Sequence, residues 1–213
     1  MRRITIGILA NVDAGKTTLS EGLLYLSGSI RSMGRVDHKD TFLDTSELEK
    51  ERGITIFSKQ AVLTVKNTQI TLLDTPGHVD FSTEMERTLS VLDYAILVIS
   101  GADGVEAHTK TLWRLLKSYS VPIFIFINKM DQLGTDKEKL LKELQTKLDS
   151  YCIDFTDDDC PEFYENVAVT EEKLLDIFLE KEKIQKSEIK RLIKARKIYP
   201  CFFGSALKMQ GID

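Results

Sequence analysis

The sequence predicts an α/β domain with a mainly parallel six-stranded sheet, one antiparallel edge strand and helices on both faces. Short apolar, β-rich runs alternate with longer amphipathic stretches, which is typical of parallel strands connected by helices. In addition, the Lys66-Asn67 pair sits in the short connection between the second apolar run and the third. So short a connection predicts a hairpin, and a hairpin makes one pair of strands antiparallel.

These patterns define the individual elements. The predicted strands are Thr5–Ala10, Gln60–Val65, Gln69–Asp74, Tyr94–Ser100, Val121–Asn128 and Tyr199–Gly204. The predicted helices are Lys16–Leu26, Val79–Leu92, Ala107–Ser118 and Asp136–Leu148. The last of these is expected to begin with a capping box formed by Thr135 and Glu138. Residues 28–55 lack a clear periodicity, and so long a loop in a compact domain is usually functional or mobile.

Residues 150–197 are predicted to form a helical insertion before the last strand. They begin as an acidic, polar stretch and continue as charged helical sequence, which favours a solvated helical pair without chemistry of its own. Only six residues follow Leu207, too few for the final helix that usually covers the sheet in folds of this kind. We therefore interpret residues 1–213 as one domain, the N-terminal part of a longer protein, and expect it to be monomeric by itself.

Charge and composition exclude several classes of protein. The net charge of −4 over 213 residues argues against a free-standing nucleic-acid binder, so no DNA partner is expected. The three cysteines form no CxxC pair, which indicates reduced thiols and a cytoplasmic protein. No apolar run approaches transmembrane length, and the first one is too short for a signal peptide, so no membrane partner is expected.

A phosphate-binding loop is predicted between the first strand and the first helix. Residues 10–17 match the Walker A pattern, except that Ala10 replaces the first glycine, and this context predicts the P-loop NTPase fold. Backbone N–H groups are expected to surround the β-phosphate, Lys16 to bridge the β- and γ-phosphates, and the Thr17 hydroxyl to bind Mg²⁺. The expected nucleotide-binding residues here are Asn11, Val12, Asp13, Ala14, Gly15, Lys16, Thr17 and Thr18. The loop alone does not distinguish GTP from ATP.

Two later motifs predict that the base is guanine. Asn128, Lys129 and Asp131 form an NKxD signature at the end of an apolar strand. The Asp131 carboxylate can accept hydrogen bonds from guanine N1–H and N2–H₂, a pair that adenine does not supply. Asn128 is expected to support the loop and Lys129 to lie along the base plane. A second base-contacting loop is expected at Ser205, Ala206 and Leu207, with backbone N–H groups toward guanine O6.

Further residues are expected to respond to the γ-phosphate. Thr55, at the end of the long loop, is predicted to bind Mg²⁺, although a β-branched residue opening a strand is the alternative. Asp74 is expected to hold Mg²⁺ through water, and the Gly77 N–H to meet the γ-phosphate. His78 is expected to orient the attacking water, with an exposed loop histidine as the alternative. The predicted catalytic set is His78, Lys16, Thr55 and Gly77.

Three stretches of the chain carry a resemblance to a known family. Residues 6–19, 51–56 and 74–81 are similar to the G domain of the elongation factor G superfamily of translational GTPases. Within that superfamily, Leu23-Leu24-Tyr25, residues 89–93 and the modest stretch between Asp131 and Gly204 look most like tetracycline resistance ribosomal-protection proteins. Asn11 departs from the family's common histidine.

The resemblance implies a cytoplasmic, multidomain protein whose other domains make most contacts with ribosomal RNA and ribosomal proteins. Such a protein would release tetracycline from the ribosome and hydrolyse GTP to GDP with Mg²⁺. One alternative is a housekeeping factor, either elongation factor G or peptide-chain release factor 3. A second is a regulatory GTPase that does not act on ribosomes, and a third is a P-loop ATPase or kinase, against which Asp131 argues.

Overall fold

A computed structural model describes residues 1–32, 34, 59–75 and 82–212 of the chain. The strands in these residues are β1 (Arg2–Ala10), β2 (Lys59–Val65), β3 (Thr68–Asp74), β4 (Tyr94–Ser100), β5 (Ile123–Asn128), β6 (Cys152–Asp154) and β7 (Tyr199–Phe203). The helices are α1 (Lys16–Leu26), α2 (Ser82–Leu89), α3 (Ala107–Ser118), α4 (Lys137–Lys147), α5 (Pro161–Ala168), α6 (Glu172–Lys181) and α7 (Lys186–Lys194). The predicted helix Val79–Leu92 lies partly outside the described residues.

The strands form one mixed sheet in the order β2-β3-β1-β4-β5-β7-β6. The pair β2–β3 is antiparallel, and the other pairs, β1–β3, β1–β4, β4–β5, β5–β7 and β6–β7, are parallel. This confirms the predicted P-loop α/β architecture and its antiparallel edge strand. The predicted number of six strands is wrong, because Cys152–Asp154 adds a seventh strand beside β7.

The central strands are buried on both faces. In β4, Leu97 belongs to an apolar cluster that also contains Leu112 of α3 and Leu144 of α4. The next residue, Val98, points to the opposite face and belongs to a cluster with Leu19 of α1. Successive side chains of a strand alternate between the faces of a sheet, so two helical layers require apolar residues at consecutive positions. The continuous apolar runs therefore reflect burial between two layers of helices.

The start of α4 differs from the predicted capping box. The residue that caps the helix is Asp136, whose carboxylate accepts a hydrogen bond from the Lys139 N–H. Thr135 instead donates its hydroxyl to the carbonyls of Met130 and Gln132, each at 2.9 Å, and so closes the preceding turn. The prediction placed the cap one residue too early because both residues are good N-caps and only the turn before them decides.

Residues 150–197 contain three helices and a core of their own. A buried cluster joins α5, α6 and α7, and its buried members are Ile153, Phe163, Tyr164, Val167, Ala168, Leu174, Ile184, Ile189, Leu192 and Ile198. The helical content was predicted, but the predicted solvated pair is wrong, because three helices share a buried core, and the short strand β6 was not predicted. Since β6 pairs with β7, this segment is attached to the edge of the main sheet.

An ion-pair network lies on the surface of this segment. The Glu171 carboxylate accepts hydrogen bonds from Arg191 and Lys197, with ion-pair distances of 2.5 Å to each. The hydrogen bonds from Arg191 and then Lys197 lower the pKa of the Glu171 carboxyl from its usual 4.5 to about 2. Glu171 therefore stays ionised in the folded protein at pH values where an unfolded chain would protonate it.

This lowered pKa predicts a pH dependence of stability. A carboxyl with a lower pKa in the folded state stabilises the fold above its unfolded pKa, and that contribution is lost as the pH falls through the folded value. Glu171→Gln is therefore expected to be less stable than wild type at neutral pH and to lose less stability between pH 4.5 and about 2. The measurement is the urea midpoint at a series of pH values.

The matched control is Glu180→Gln, at an exposed glutamate of α6 for which the described residues provide no ion-pair partner. Its acid-side stability curve should follow wild type. If the Glu171→Gln curve also follows wild type, the network does not couple protonation to folding.

Among the described residues, no helix is both long enough and apolar enough to cross a membrane.

Candidate functional site

Loops from four parallel strands meet at one edge of the sheet. The strands β1, β3, β5 and β7 run in the same direction, so the loops that follow Ala10, Asp74, Asn128 and Phe203 lie at their common carboxyl edge. In open α/β sheets, ligands bind in the crevice at this edge. The predicted motif residues that the structure describes at these strand ends are therefore neighbours in space.

The loop between β1 and α1 is held in a tight, partly left-handed conformation. Asp13 and Gly15 have positive φ angles of 60° and 90°. A Cβ on Gly15 would lie 2.2 Å from the Asn128 side-chain nitrogen, so only glycine fits between the loop and β5. Within the loop, the Ala14 N–H donates to the Asn11 carbonyl at 3.2 Å, and the Val12 N–H donates to the Asn11 side-chain oxygen at 2.9 Å.

The first turn of α1 follows this loop directly. Lys16 is its first residue, and Thr17 and Thr18 are half-buried beside it. The first N–H groups of any helix have no partner within the helix, and the helix dipole makes this end favourable for an anion. The loop and the helix start thus provide backbone donors suited to a phosphate group.

Asn128 connects three of these loops. Its side chain is buried, its Nδ2 donates to the Ala14 carbonyl at 2.9 Å, and its Oδ1 accepts from the Ala206 N–H at 2.8 Å. One amide group therefore joins the phosphate loop to the loop after β7. Because both amide ends are used, replacing Asn128 would leave buried polar groups on two loops without partners.

Lys16 and Asp74 lie together beneath the phosphate loop. The Lys16 Nζ donates to Asp74 Oδ1 at 2.5 Å and to the Thr75 carbonyl at 2.7 Å. Lys16 is 9% exposed, and Asp74 and Thr75 are fully buried. The Thr75 hydroxyl in turn donates to the Ile8 carbonyl at 2.7 Å, which anchors the end of β3 to β1. Lys16 and Asp74 are thus buried and paired with each other. Lys16 is the group expected to bind phosphate, and Asp74 is the group expected to hold Mg²⁺ through water.

Asp131 is the carboxylate of the turn after β5, and its side chain is 20% exposed. Its neighbours are the Ser205 side chain and Lys208, whose Nζ lies 3.3 Å from Asp131 Oδ2. The hydrogen bond from Ser205, with a smaller contribution from Lys208, lowers the pKa of the Asp131 carboxyl. It is therefore a charged acceptor at neutral pH, as recognition of two guanine N–H groups requires. The preceding Lys129 is half-buried, with a φ of 61°.

The loop after β7 is closed on itself and fastened to the NKxD turn. Backbone N–H groups of Ser205 and Gln210 donate to each other's carbonyls at 3.0 Å. The Gly204 carbonyl accepts from the Met130 N–H at 3.0 Å, so a backbone hydrogen bond joins the two predicted base-contacting loops. Of the predicted residues here, Ser205 and Ala206 are buried and Leu207 is half-exposed.

The structure thus brings together the predicted phosphate and base motifs, along with Asp74. Thr55, Gly77 and His78 lie outside the described residues, and their predicted roles stay predictions. Two contacts were missed by the sequence reasoning. The Asn11 side chain donates to Glu106, just before α3, and Lys208 pairs with Asp131. Lys208 directly follows the predicted loop Ser205–Leu207, whereas nothing in the sequence signals that Glu106 reaches Asn11.

Comparison with known proteins identifies the family of the chain. The family model described as the elongation factor Tu GTP binding domain matches residues 1–213. This chain belongs to that family. Membership in the elongation factor Tu GTP-binding family implies GTP and GDP as ligands, and it confirms the predicted resemblance to translational GTPases.

Several relatives within this family are tetracycline resistance proteins. TetS of Listeria monocytogenes is 41% identical over 231 residues, which cover 100% of this chain and 35% of TetS. TetM from transposon Tn916 of Enterococcus faecalis is 38% identical and is matched over 100% of this chain and 36% of TetM. TetP of Clostridium perfringens is 49% identical over 145 residues, 68% of this chain and 22% of TetP. The predicted similarity to tetracycline resistance proteins is therefore confirmed.

The chain spans about a third of the length of these full-coverage relatives. A crystal structure of a protein from Thermus thermophilus has the same fold, with a TM-score of 0.85 over 98% of this chain and 38% of that chain. At 23% sequence identity this likeness supports the fold alone.

Proposed function

We propose that the chain is the G domain of a longer translational GTPase that binds GTP with Mg²⁺ and hydrolyses it in response to the ribosome. The observation that carries this proposal is the Asn128 amide, which holds the phosphate loop and the loop after β7 in one arrangement. Through it, the groups suited to phosphate and those suited to guanine share one edge of the sheet.

The residues present fit a nucleotide with its metal ion. Gly15 leaves no room for a side chain beside Asn128, so the phosphate loop packs directly against the residue that opens the guanine motif. We assign Lys16 to the β- and γ-phosphates, Asp131 to guanine N1–H and N2–H₂, and the Ser205–Leu207 loop to guanine O6. The Thr17 and Thr55 hydroxyls would hold Mg²⁺, with Asp74 acting through water. When bound, Mg²⁺ would neutralise charge that develops on the phosphates.

Hydrolysis is assigned to residues of the predicted γ-phosphate motif together with Lys16 of the phosphate loop. We infer that His78 orients a water molecule for in-line attack, while the Gly77 N–H and Lys16 stabilise the transferred phosphoryl group. Phosphoryl transfer depends on positioning and charge stabilisation more than on covalent chemistry. Asp131 and Asn128 belong to another part of the site, so nucleotide affinity and the rate of hydrolysis should be separable.

His78→Ala is therefore expected to lower ribosome-stimulated hydrolysis by about 10²–10³-fold, a typical effect of losing a group that positions or deprotonates a nucleophile. GDP affinity should stay within about twofold of wild type, because no contact with the base or the β-phosphate is assigned to His78. Both are measured with the full-length protein, by single-turnover hydrolysis and by fluorescent GDP titration. His78→Gln, which keeps a hydrogen-bonding side chain, is the control. An equal loss of GDP binding in His78→Ala would contradict the assigned role.

The biological reaction is inferred from the relatives. Their names describe tetracycline resistance, and TetS, TetM and TetP share 38–49% of residues with this chain over the matched lengths. We propose that the intact protein, through domains that follow this one, displaces tetracycline from the ribosome and uses GTP hydrolysis to leave. The 150–197 segment is proposed as an insertion within the G domain.

The decisive experiment follows labelled tetracycline on purified ribosomes mixed with the full-length protein, with GTP and with GDP. Faster drug release with GTP supports the proposal. Ribosome-stimulated hydrolysis without drug release would assign the protein to translocation or factor recycling instead. Hydrolysis that ignores ribosomes would overturn the translational role.

A further inference from the structure

Positive charge is concentrated in one short part of the chain. Residues 181–197 contain eight of the 29 Lys and Arg residues but only two of the 33 Asp and Glu residues. The whole chain has a net charge of −4, so the remainder is strongly acidic. All eight cationic side chains are exposed, and they are Lys181, Lys183, Lys186, Lys190, Arg191, Lys194, Arg196 and Lys197.

Ion pairs account for only some of this charge. Four of the eight side chains lie within ion-pair distance of acidic residues of the 150–197 segment. They are Lys183, Lys186, Arg191 and Lys197. The pair of Lys186 with Asp158 is long, at 3.9 Å, and both side chains are exposed. In contrast, Lys190 and Lys194 on α7 have no acidic side chain within ion-pair distance among the described residues. Their charges are therefore available to a partner.

Three lysines form a row on one side of α7. Lys186, Lys190 and Lys194 are spaced by four residues, so they follow one another along the same side of the helix at intervals of about 6 Å. Ile189 and Leu192 are buried in the cluster beneath the helix, which fixes the row toward solvent. Like charges at this spacing repel one another and destabilise a helix. The helix dipole favours a positive charge at Lys194, in the last turn, but it does not account for Lys186 and Lys190.

We propose that this row, Lys186–Lys190–Lys194, is a docking surface for the phosphate backbone of folded RNA. The proposal rests on the proposed ribosomal function, since the ribosome presents such RNA. Lysine is depleted in protein–protein interfaces, which favour aromatic residues, Met and Arg. Phosphate backbones, in contrast, are bound by Lys and Arg without regard to sequence. The lysine-only row thus fits RNA better than an acidic protein.

This lysine row is separate from the proposed nucleotide-binding site. The row belongs to the 150–197 segment, whose buried cluster is distinct from the two clusters that pack on the central sheet. Changes in the row should therefore alter ribosome binding and leave nucleotide binding unchanged. A defect in the nucleotide-binding site should instead alter nucleotide binding directly.

The test compares Lys190→Glu/Lys194→Glu with a matched control in the full-length protein. The control is Lys139→Glu/Lys142→Glu, which changes the same total charge at two exposed lysines of α4. The KM for ribosomes in stimulated GTP hydrolysis is measured over a range of KCl concentrations. For the α7 variant we expect the KM at low salt to rise by about tenfold and the slope of log KM against log[KCl] to fall by about 1.5–2, since two phosphate contacts are lost. Unstimulated GTP hydrolysis and GDP affinity should stay at the wild-type values.

A second measurement identifies the partner. A photo-crosslinking amino acid at position 190 is expected to give a ribosome adduct that ribonuclease removes. An adduct removed by protease alone would assign the row to a ribosomal protein and overturn the RNA proposal. A KM equal to that of the control variant would overturn any docking role. If the wild-type protein shows no response to ribosomes, the proposed function fails, and weaker binding of the α7 variant than of the control to a short A-form RNA duplex remains the test of the row.

Discussion

Asp131→Asn is expected to exchange guanine specificity for xanthine specificity. The Asp131 carboxylate is the acceptor assigned to guanine N1–H and N2–H₂. Each hydrogen bond to a charged group is worth about 1.5–3 kcal/mol, so replacing it with a neutral amide should weaken GDP binding by about 10²–10⁴-fold. Xanthine carries a carbonyl where guanine has N2–H₂, and the asparagine amide can donate to that carbonyl while its oxygen accepts from N1–H.

The measurement compares the dissociation constants of GDP and xanthosine diphosphate for the two proteins. Asp136→Asn is the matched control, because Asp136 caps α4 and Asn is an equally good N-cap. It should leave both constants unchanged. Because Ser205 and Lys208 also contact Asp131, a general loosening of the loop would weaken both nucleotides equally. That outcome, or unchanged GDP affinity, would show that Asp131 does not read the base.

Gly15→Ala is expected to abolish tight nucleotide binding and to destabilise the protein. Residue 15 has a φ of 90°, a conformation that costs an alanine about 1–2 kcal/mol. The new Cβ would also lie 2.2 Å from Asn128 Nδ2 and would displace it from the Ala14 carbonyl. Leaving these buried groups unpaired costs about 1–3 kcal/mol each. We expect at least a roughly 100-fold loss of GDP affinity, because the same displacement moves the loop donors.

Gly134→Ala provides a matched control for this variant. Gly134 has nearly the same φ, 91°, but a Cβ there would meet nothing within 4 Å. It should therefore show the backbone cost in a thermal melt without any change in GDP affinity. Adding Asn128→Ala to Gly15→Ala removes the clash, and the stability losses should then be less than additive. Equal effects of Gly15→Ala and Gly134→Ala would mean that the contact with Asn128 does not matter.

The strands and helices were predictable where a contiguous stretch of sequence is enough to recognise them. The apolar runs of β1, β4 and β5 are long and bounded by turn residues, and the two-residue connection Lys66-Asn67 fixed the hairpin. The strand β6 was missed because it has only three residues within a polar stretch, and its pairing with β7 depends on a contact that is distant in sequence. The start of α4 was shifted because Thr135 and Asp136 compete for the cap.

The candidate site was predictable to the extent that it consists of motifs. The Walker A and NKxD residues indicated which loops approach one another, and the strand order brings these loops to one edge. The sequence could not show how the loops are fastened, since Asn128 reaches Ala14 and Ala206 across separations of 114 and 78 residues. The contact between Asn11 and Glu106 is also non-local and leaves no pattern in the chain.

The separate core of residues 150–197 has a consequence for how this protein can diverge. Its three helices bury apolar side chains against one another. The segment joins the central sheet at the outermost strand, β6. Within the described sheet no strand lies beyond β6, so residues added or removed there need not shift the register of any strand that leads to the phosphate loop. The segment can therefore change in size, charge and partner while the nucleotide chemistry is inherited intact, which makes it the part of the domain most open to specialisation.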